Sequence, residues 1–458
     1  MHHYNFFIIS SYSRDPQTCQ AFLRYSFDDQ LHFEEILDFQ TDQKLINTNI
    51  EDVQKILVHT HIALWLSYYK LYPYAQIIVQ TTHLTDKQIN FCQQFYRSGL
   101  GEYCVRNQIN PRELIQIKSE SNVFFSPLSS VNIAVNRGLV AIWGGKDSIV
   151  SAELLKTIDY DFNLISIGKH YPIHHEVAYI IGKPLMYIRR ALDPLLFVLN
   201  KENGYYNGHI PITGMLAWIK ILTAYLYGYH HIILSNEKSA NEGNLIRYDI
   251  EINHQRSKSL EFEQALNQYM SEFVTDKILY FSLLRGMYEI EIAKLFARRP
   301  HYFSTFSSCN NNFKILNNAH MQQTRWCNQC PKCAFVYTIL RPWINSTQMT
   351  MIRWKELYTD ANLIPLYEQL LNISGHKPRE CVGTNEEIAL SMYQTWLQEP
   401  SLHYTPIMKL FVNKILPNLT PKVIANLQDK LYHIDVSDTI PRSLRRDIKQ
   451  AINQNLKI

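Results

Sequence analysis

Residues 144–148 (GGKDS) are the stretch of this 458-residue sequence whose composition best suits anion binding. They follow the apolar run 138–143 and precede an amphipathic helix predicted over residues 148–157. Paired glycines let several backbone N–H groups converge on one anion, and the following helix N-terminus adds favourable electrostatics. The candidate anion-binding residues here are Gly144, Gly145, Lys146, Asp147 and Ser148. The alternative is an ordinary strand-to-helix turn, and the spacing is not that of the Walker phosphate loop.

Four of the eight cysteines cluster in one segment and have the spacing of metal ligands. The candidate ligands are Cys309, Cys327, Cys330 and Cys333. Four thiolates fill the coordination sphere of a tetrahedral zinc ion and leave no position for water, so such a site is structural. An iron–sulfur cluster uses similar ligands, and a set of reduced thiols without a metal is another alternative. A redox Cys-x-x-Cys fits less well, because the expected fold context is absent. We place zinc first.

Three other stretches contain more polar chemistry than a surface loop needs: residues 207–211, 235–244 and 253–259. The candidate catalytic residues that they supply are His209, His254, Lys258 and Glu237. Asn236 is a candidate nucleotide-binding residue, Glu237 and Glu242 are candidate Mg²⁺ ligands, and Arg256 and Lys258 suit a phosphate or carboxylate. The alternative for each stretch is a solvated loop with helix-capping Ser and Asn.

The elements around these stretches predict an α/β protein with a doubly wound, mainly parallel sheet, because short apolar strands alternate with helices from about residue 131. We predict strands over residues 138–143, 163–168, 185–189 and 230–235, and helices over 148–157, 172–182 and 213–227. Residues 1–130 are predicted to form an N-terminal α+β domain, with helices near 51–72 and 85–103. Residues 131–340 would form the nucleotide-binding domain with the cysteine cluster, and residues 341–458 a helical C-terminal domain.

Composition excludes several classes of protein. A net charge of +4 and the absence of a basic run argue against a nucleic-acid-binding protein. The longest apolar tract, residues 214–234, contains Lys220, Gly228 and two histidines, so it predicts a helix and a strand rather than a membrane span. With no signal peptide, we expect a soluble cytoplasmic protein whose cysteines are reduced. Nothing in the sequence indicates an oligomeric state.

The loop at residues 144–148 resembles the SGGxDS loop of the N-type ATP pyrophosphatases (the PP-loop superfamily), although Trp143 stands where that loop has a small residue. Further motifs occur in one order: 207–211, 235–240, 253–259 and the cysteine knuckle 327–333. Segments 67–70, 99–102 and 380–384 agree as well. Together they resemble the UDP-N-acetylmuramoyl-L-alanyl-L-glutamate epimerase family over nearly the whole chain.

The resemblance implies a PP-loop domain and ATP- and Mg²⁺-dependent inversion of the terminal glutamate of a peptidoglycan precursor. The carboxylate would be activated as an acyl-adenylate, with release of AMP and pyrophosphate. Residues 144–148 would hold ATP, while His209, His254 and Lys258 are candidates for proton transfer or charge stabilisation. The implied partner is a small UDP-muramoyl dipeptide, without nucleic acid or membrane. Alternatives are a deazaguanine (nitrile-forming) synthase, a tRNA-modifying enzyme and a non-catalytic nucleotide sensor.

Overall fold

The computed structural model describes residues 3–128, 131–243, 245–247, 250–313, 325–375, 378, 380, 382–435 and 440–457. The fold is α/β and is built on one sheet of ten strands, in which six of the nine neighbouring pairs are parallel. This confirms the predicted α/β class with a mainly parallel sheet. Among the described residues, none of the helices combines the length and the apolar character needed to span a bilayer.

The first part of the chain begins with an antiparallel meander and continues with helices. Its strands are β1 (Phe6–Asp15), β2 (Gln20–Phe27), β3 (Leu31–Asp38), β4 (Gln76–Val79) and β5 (Ile117–Ser119), and its helices are α1 (Ile50–Leu64), α2 (Leu66–Tyr69), α3 (Asp86–Gly99) and α4 (Gly101–Asn107). The predicted helix starts are confirmed. Asn49 caps α1 by accepting from the Asp52 amide, and Thr85 forms a capping box with Gln88 at the start of α3.

The central part alternates strands and helices as predicted. Its strands are β6 (Ala134–Ala141), β7 (Asp161–Gly168), β8 (Leu185–Ala191), β9 (Tyr229–Leu234), β10 (Leu245–Arg247), β11 (Ile250–Ile252) and β12 (Leu279–Ser282). Its helices are α5 (Lys146–Thr157), α6 (Pro172–Ile181), α7 (Pro194–Leu199), α8 (Ile212–Tyr227), α9 (Leu260–Phe273) and α10 (Glu289–Ala297). Strands β10 and β11 pair with each other outside the large sheet.

The remaining described residues are mainly helical, as predicted. The helices are α11 (Pro331–Leu340), α12 (Ser346–Ile352), α13 (Ile364–Leu370), α14 (Asn385–Gln398), α15 (Pro406–Lys414), α16 (Pro421–Leu431) and α17 (Arg442–Lys457). Pro406 and Pro421 are the first residues of α15 and α16. Proline suits that position because the first helical N–H has no partner within the helix.

The strand order of the large sheet is β12-β9-β6-β7-β8-β3-β2-β1-β4-β5. The chain moves from β6 to β7 and β8 on one side, then returns through α8 to β9 and β12 on the other side. The carboxyl end of β6 is therefore the point at which the connections diverge, where open α/β sheets leave a crevice for ligands.

Apolar side chains of β6 pack on both faces of the sheet. Leu139 and Ala141 belong to a core cluster that includes α1 and α8, whereas Val140 and Ile142 belong to a second cluster with α5, α6 and α11. Burial on both faces is typical of parallel strands covered by helices. The first cluster also contains β1, β2 and β3, so the core of the N-terminal part is continuous with that of the central part.

Candidate active site

A cavity of about 370 Å³ lies at the carboxyl ends of β6 and β9. Ala141 and Leu234, the last residues of these two strands, form part of its wall. The cavity is thus located where the sheet topology predicts a ligand site. It is also large enough for a small-molecule substrate.

The glycine loop contributes to this cavity with a backbone that requires glycine. Gly144 has a φ of +81°, and its carbonyl accepts a 2.9 Å hydrogen bond from the Ser307 amide. A Cβ on Gly145 would lie 2.8 Å from Ser308 Oγ. Gly145 therefore permits close packing against the segment that precedes Cys309, and Gly144 permits the left-handed turn.

Three of the five loop residues predicted to bind a nucleotide line the cavity: Gly145, Asp147 and Ser148. Trp143 lies in the wall beside them with 45% of its surface exposed, and its ring meets His174 edge-on at 6.1 Å. The indole therefore borders the cavity. A planar wall of this kind suits a flat ligand group.

Lys146 is fully buried, and its ammonium contacts the carboxylates of Asp147 and Glu289. Lys332 also approaches Glu289, at 3.5 Å. Burial lowers the pKa of Lys146, but the two carboxylates raise it more, so the group stays charged. The ammonium thus neutralises acidic groups beneath the loop.

The loop that follows β9 provides Ser235, Asn236 and Glu237 to the cavity. The Asn236 side chain donates to Ser282 Oγ at 2.9 Å, and the Glu237 carbonyl accepts from Arg285 at 2.8 Å. Burial, followed by the charge of nearby Glu289, raises the pKa of Glu237 to about 7. A carboxyl group with such a pKa can exchange a proton near neutral pH.

His209 and His254 meet at the cavity although 44 residues separate them in the sequence. Their ring centroids are 4.2 Å apart. Glu102, on α4, forms a hydrogen bond and ion pair with Nδ1 of His254. Burial, and then the neighbouring His254, lower the pKa of His209 to about 4, so this imidazole is neutral at pH 7. Donor atoms of the three side chains lie within 4.8 Å of one another, so a metal ion is also sterically compatible.

Lys258 lines the same cavity, whereas Arg256 forms an ion pair with Glu261 and borders a separate small depression with Phe91. Glu242 is exposed and does not line the cavity. Asn244, from the same predicted stretch, lies outside the described residues. Of the residues predicted to bind an anion or Mg²⁺ in these stretches, Lys258 and Glu237 are therefore the two at the cavity.

The four predicted cysteine ligands come together beside the loop. Their sulfur atoms all lie within 4.8 Å of one another, and Cys327 Sγ is 3.7 Å from Cys333 Sγ. Cys330 caps α11, and the amide of Cys309 donates to Ser307 Oγ at 3.2 Å. The cluster therefore adjoins the residue that holds the Gly144 carbonyl. Cys381, from the C-terminal segment of the resemblance, lies outside the described residues.

Several cavity residues were not singled out from the sequence. Lys332 lies within the cysteine knuckle. Glu102, which contacts His254 behind the cavity lining, belongs to a segment noted only for its resemblance. Ser307 and Ser308 lie outside every motif identified in the sequence. Lys220 was noted only as a charge inside an apolar tract, although such a charge is itself a signal that a helix borders a polar site.

Comparison with known proteins places this arrangement in a family. A model of the MurL N-terminal domain matches residues 1–283, and a model of the MurL C-terminal domain matches residues 305–423. The chain belongs to the MurL family.

Relatives of this MurL family member resemble it over most of their length. A protein of Xanthomonas oryzae pv. oryzae (strain MAFF 311018), named UDP-N-acetyl-alpha-D-muramoyl-L-alanyl-L-glutamate epimerase, is 34% identical over 94% of both chains. A protein of the same name from Micromonospora sp. is 32% identical over 89% of this chain and 90% of its own. A third, from Salinispora tropica, is 34% identical over 84% of each chain. The predicted family is thereby confirmed.

Proposed function

We propose that this MurL family member inverts the terminal L-glutamate of UDP-N-acetyl-alpha-D-muramoyl-L-alanyl-L-glutamate after ATP has activated its carboxylate as an acyl-adenylate. The product would supply D-glutamate for peptidoglycan precursors in the cytoplasm. The observation that supports this most is one cavity at the carboxyl end of β6, which brings together the glycine loop, Glu237 and the pair His209 and His254. The epimerase names of the relatives supply the substrate.

The chemistry requires activation because the glutamate carboxylate is already an anion. Removing the adjacent Cα proton would place a second negative charge beside it. Attack of a carboxylate oxygen on the α-phosphorus of ATP expels pyrophosphate and leaves a mixed anhydride, in which the carboxyl group no longer carries a charge. The Cα proton then leaves to a base, and the electron pair is delocalised onto the activated carbonyl. A proton returns on the opposite face, and water cleaves the anhydride to AMP and the inverted glutamate.

In this proposal the amides of the loop and the start of α5 bind the pyrophosphate half of ATP, as a PP-loop would. Gly145, Asp147 and Ser148 border the cavity directly, while Lys146 balances the buried carboxylates. His209 and His254 are the candidates for moving the Cα proton, and Glu102 orients His254. Lys258 provides positive charge for the substrate's anionic groups.

Mg²⁺ fits the acidic side of the cavity. Burial raises the pKa of Asp147, as it does for Glu237, and the charge of Glu289 raises both further. Carboxylates crowded in this way gain from a divalent cation, and their oxygens are ligands that Mg²⁺ accepts. Asp147 and Glu237 would hold the ion, which supplies charge neutralisation for the phosphates.

A structural zinc ion fits the cysteine cluster. With Zn–S bonds of about 2.3 Å, sulfurs at tetrahedral corners lie roughly 3.8 Å apart. The Cys327–Cys333 separation of 3.7 Å matches that spacing. We propose that Cys309, Cys327, Cys330 and Cys333 hold this ion and so fix the segment that supports the glycine loop.

The test is an assay of the purified protein with the UDP-dipeptide, ATP and Mg²⁺ in heavy water. We expect AMP and pyrophosphate to form only when the dipeptide is present, with deuterium incorporated at the glutamate Cα. Lys146→Ala should abolish both signals, because Asp147 and Glu289 lose their counter-charge. Lys156→Ala, on the exposed side of the same helix, should not.

The two halves of the proposal fail separately. Formation of AMP without deuterium at Cα would contradict epimerisation and leave adenylation. Inversion and exchange without ATP would contradict adenylation. Full activity of Lys146→Ala would remove the glycine loop from the mechanism.

A further inference from the structure

Lys220 is a buried amine for which the mechanism above has no use. It lies in α8, a helix whose other residues from Gly214 to Tyr227 are buried and mostly apolar. Only 3% of its surface is exposed, and its Nζ makes a long 3.4 Å hydrogen bond to the Leu216 carbonyl of the same helix. No described carboxylate forms an ion pair with it, in contrast to Lys146.

A lysine in such surroundings is stable mainly as the neutral amine. Taking an ammonium out of water without a counter-charge is unfavourable, and a buried lysine reduces that cost by losing its proton. Burial alone lowers the pKa of Lys220 to about 7. The amine can therefore both accept and donate a proton near neutral pH.

The position of Lys220 gives this amine access to the cavity. Ile212, Leu216 and Lys220 follow one another at four-residue intervals, and all three line the cavity. One face of α8 thus lines the cavity over about two helical turns, from Ile212 to Lys220. The hydrogen bond to Leu216 shows that Nζ is directed back along the helix towards its N-terminus.

Inversion at a carbon requires proton transfer on both faces, and neither histidine belongs to α8. His209 precedes α8, and His254 belongs to the segment after β11. Lys220 lies about two helical turns, or roughly 12 Å of helix axis, beyond the start of α8. Its side chain reaches back along α8, so the cavity contains a titratable nitrogen from this helix in addition to those of the two histidines.

We propose that Lys220 is a second proton-transfer residue of this cavity, acting on one face of the glutamate Cα while the His209–His254 pair acts on the other. This inference rests on the proposed function. In one direction the neutral amine takes the Cα proton, and the electron pair passes to the activated carbonyl. A protonated imidazole returns a proton to the opposite face. In the reverse direction the roles exchange, and solvent restores each group.

The test is Lys220→Met, assayed separately with the L-Glu and D-Glu forms of the UDP-dipeptide in heavy water containing ATP and Mg²⁺. Methionine fills a similar volume without a polar atom, so we expect an unchanged or higher melting temperature. AMP formation should stay within about threefold of wild type. Inversion should fall by at least about 100-fold. Deuterium should still enter Cα from one of the two epimers, because the histidine side remains.

Two further variants separate proton transfer from simpler roles. Lys220→Arg keeps a positive charge but cannot release its proton, so it should be as defective in inversion as Lys220→Met. Lys118→Met, which removes a surface lysine paired with Glu120, should behave as wild type.

Several outcomes would overturn the inference. Equal loss of AMP formation and inversion in Lys220→Met would mean that the ammonium binds substrate. Recovery of inversion in Lys220→Arg would mean the same. Unchanged exchange from both epimers, or a lower melting temperature with loss of every activity, would mean that Lys220 has no part in proton transfer. Wild-type protein that forms AMP without any Cα exchange would overturn the inference together with the epimerase function.

Discussion

Glu237 lies in the loop after β9, among a group of buried charges close to the glycine loop. Burial raises its pKa most, and the charges of Glu289 and Asp147 raise it further. The charges of Lys258 and Lys332 lower it, but by less. The result is a carboxyl group that titrates near pH 7 in the folded protein and near 4.5 when exposed. The protonation state of a single side chain therefore affects both binding of a cation and stability.

Glu237→Gln should change the pH dependence of stability. Between pH 4.5 and 7 the folded protein keeps a proton that the unfolded chain has released. The native state is therefore favoured at low pH, and this contribution is lost as the pH rises through 7. Glutamine does not titrate, so the variant shows no such loss of stability. Its stability relative to wild type should therefore increase between pH 5 and pH 8, by roughly 1–3 kcal/mol.

Urea unfolding at pH 5, 6, 7 and 8 without added metal measures this difference. Glu202→Gln, at an exposed position, serves as the control and should follow wild type. A difference between Glu237→Gln and wild type that does not depend on pH would contradict the assigned environment of Glu237.

The residues that could be predicted from the sequence are those whose chemistry stands out from their neighbours. His209, His254 and Ser148 lie in polar stretches after apolar elements, and the cavity contains all three. Lys220 could not be predicted as a site residue in this way, because the residues around it in α8 are almost all apolar. The pairing of Lys146 with Glu289 could not be predicted either, because it depends on packing between α5 and α10.

At the scale of elements, the turn between β6 and α5 depends on left-handed backbone at Gly144. A side chain at a φ of +81° is strained, and a Cβ there would lie 3.0 Å from Ile173. Gly182 has a similar φ of +73°, but it ends α6 at the surface with no atom within 4 Å of an added Cβ. A side chain at either position strains the backbone, but only a side chain at Gly144 would also displace the loop. Comparing the two variants therefore separates these effects.

Gly144→Ala and Gly182→Ala should each lose about 1 kcal/mol of stability because of the left-handed backbone. Only Gly144→Ala should also lose pyrophosphate release, by at least about 100-fold, since its Cβ shifts the amides from the anion. Thermal unfolding and a pyrophosphate assay measure the two effects. Equal activity of the two variants would contradict the role of the loop.

The cysteine cluster supports that turn through Ser307. Cys330→Ser removes one sulfur from the four and should reduce bound zinc from about one ion per chain to a small fraction of that. Because Ser307 then loses its fixed position next to Gly144, the KM for ATP should rise. Cys92→Ser, a buried cysteine outside the cluster, should keep its zinc. Elemental analysis of the purified proteins tests this, and an unchanged zinc content in Cys330→Ser would contradict the site.

At the scale of the whole molecule, the sequence predicted the alternation of strands and helices but not how the parts join. The N-terminal strands continue the central sheet through an antiparallel pair, in which Leu37 of β3 faces Arg190 of β8. Local patterns cannot predict a pairing between residues more than 150 positions apart, because they report only on neighbours in the chain. The expected boundary near residue 130 falls between β5 and β6 of this one sheet.

A buried ion pair joins the two parts at this pairing. Arg190 forms two hydrogen bonds with the Glu35 carboxylate, at 2.6 and 3.2 Å, and a third with Ser67 at 2.8 Å. Glu35 is fully buried. Removing one partner of a buried pair leaves an uncompensated charge, at a cost of about 3–5 kcal/mol.

Glu35→Gln should therefore destabilise the N-terminal and central parts together. Because one sheet and one apolar cluster connect the two parts, we expect calorimetry to show a single unfolding transition for residues 1–283. Glu35→Gln should shift this whole transition to a lower temperature. Glu34→Gln, at the neighbouring residue, is the matched control. The Glu34 carboxylate pairs with Arg24 at a half-exposed position, so the loss of stability should be below about 1 kcal/mol. Two separate transitions, of which Glu35→Gln moves only one, would mean that the parts fold independently. Glu102 of the first part would then reach His254 of the second by docking of two domains, and the cavity would form only after both had folded.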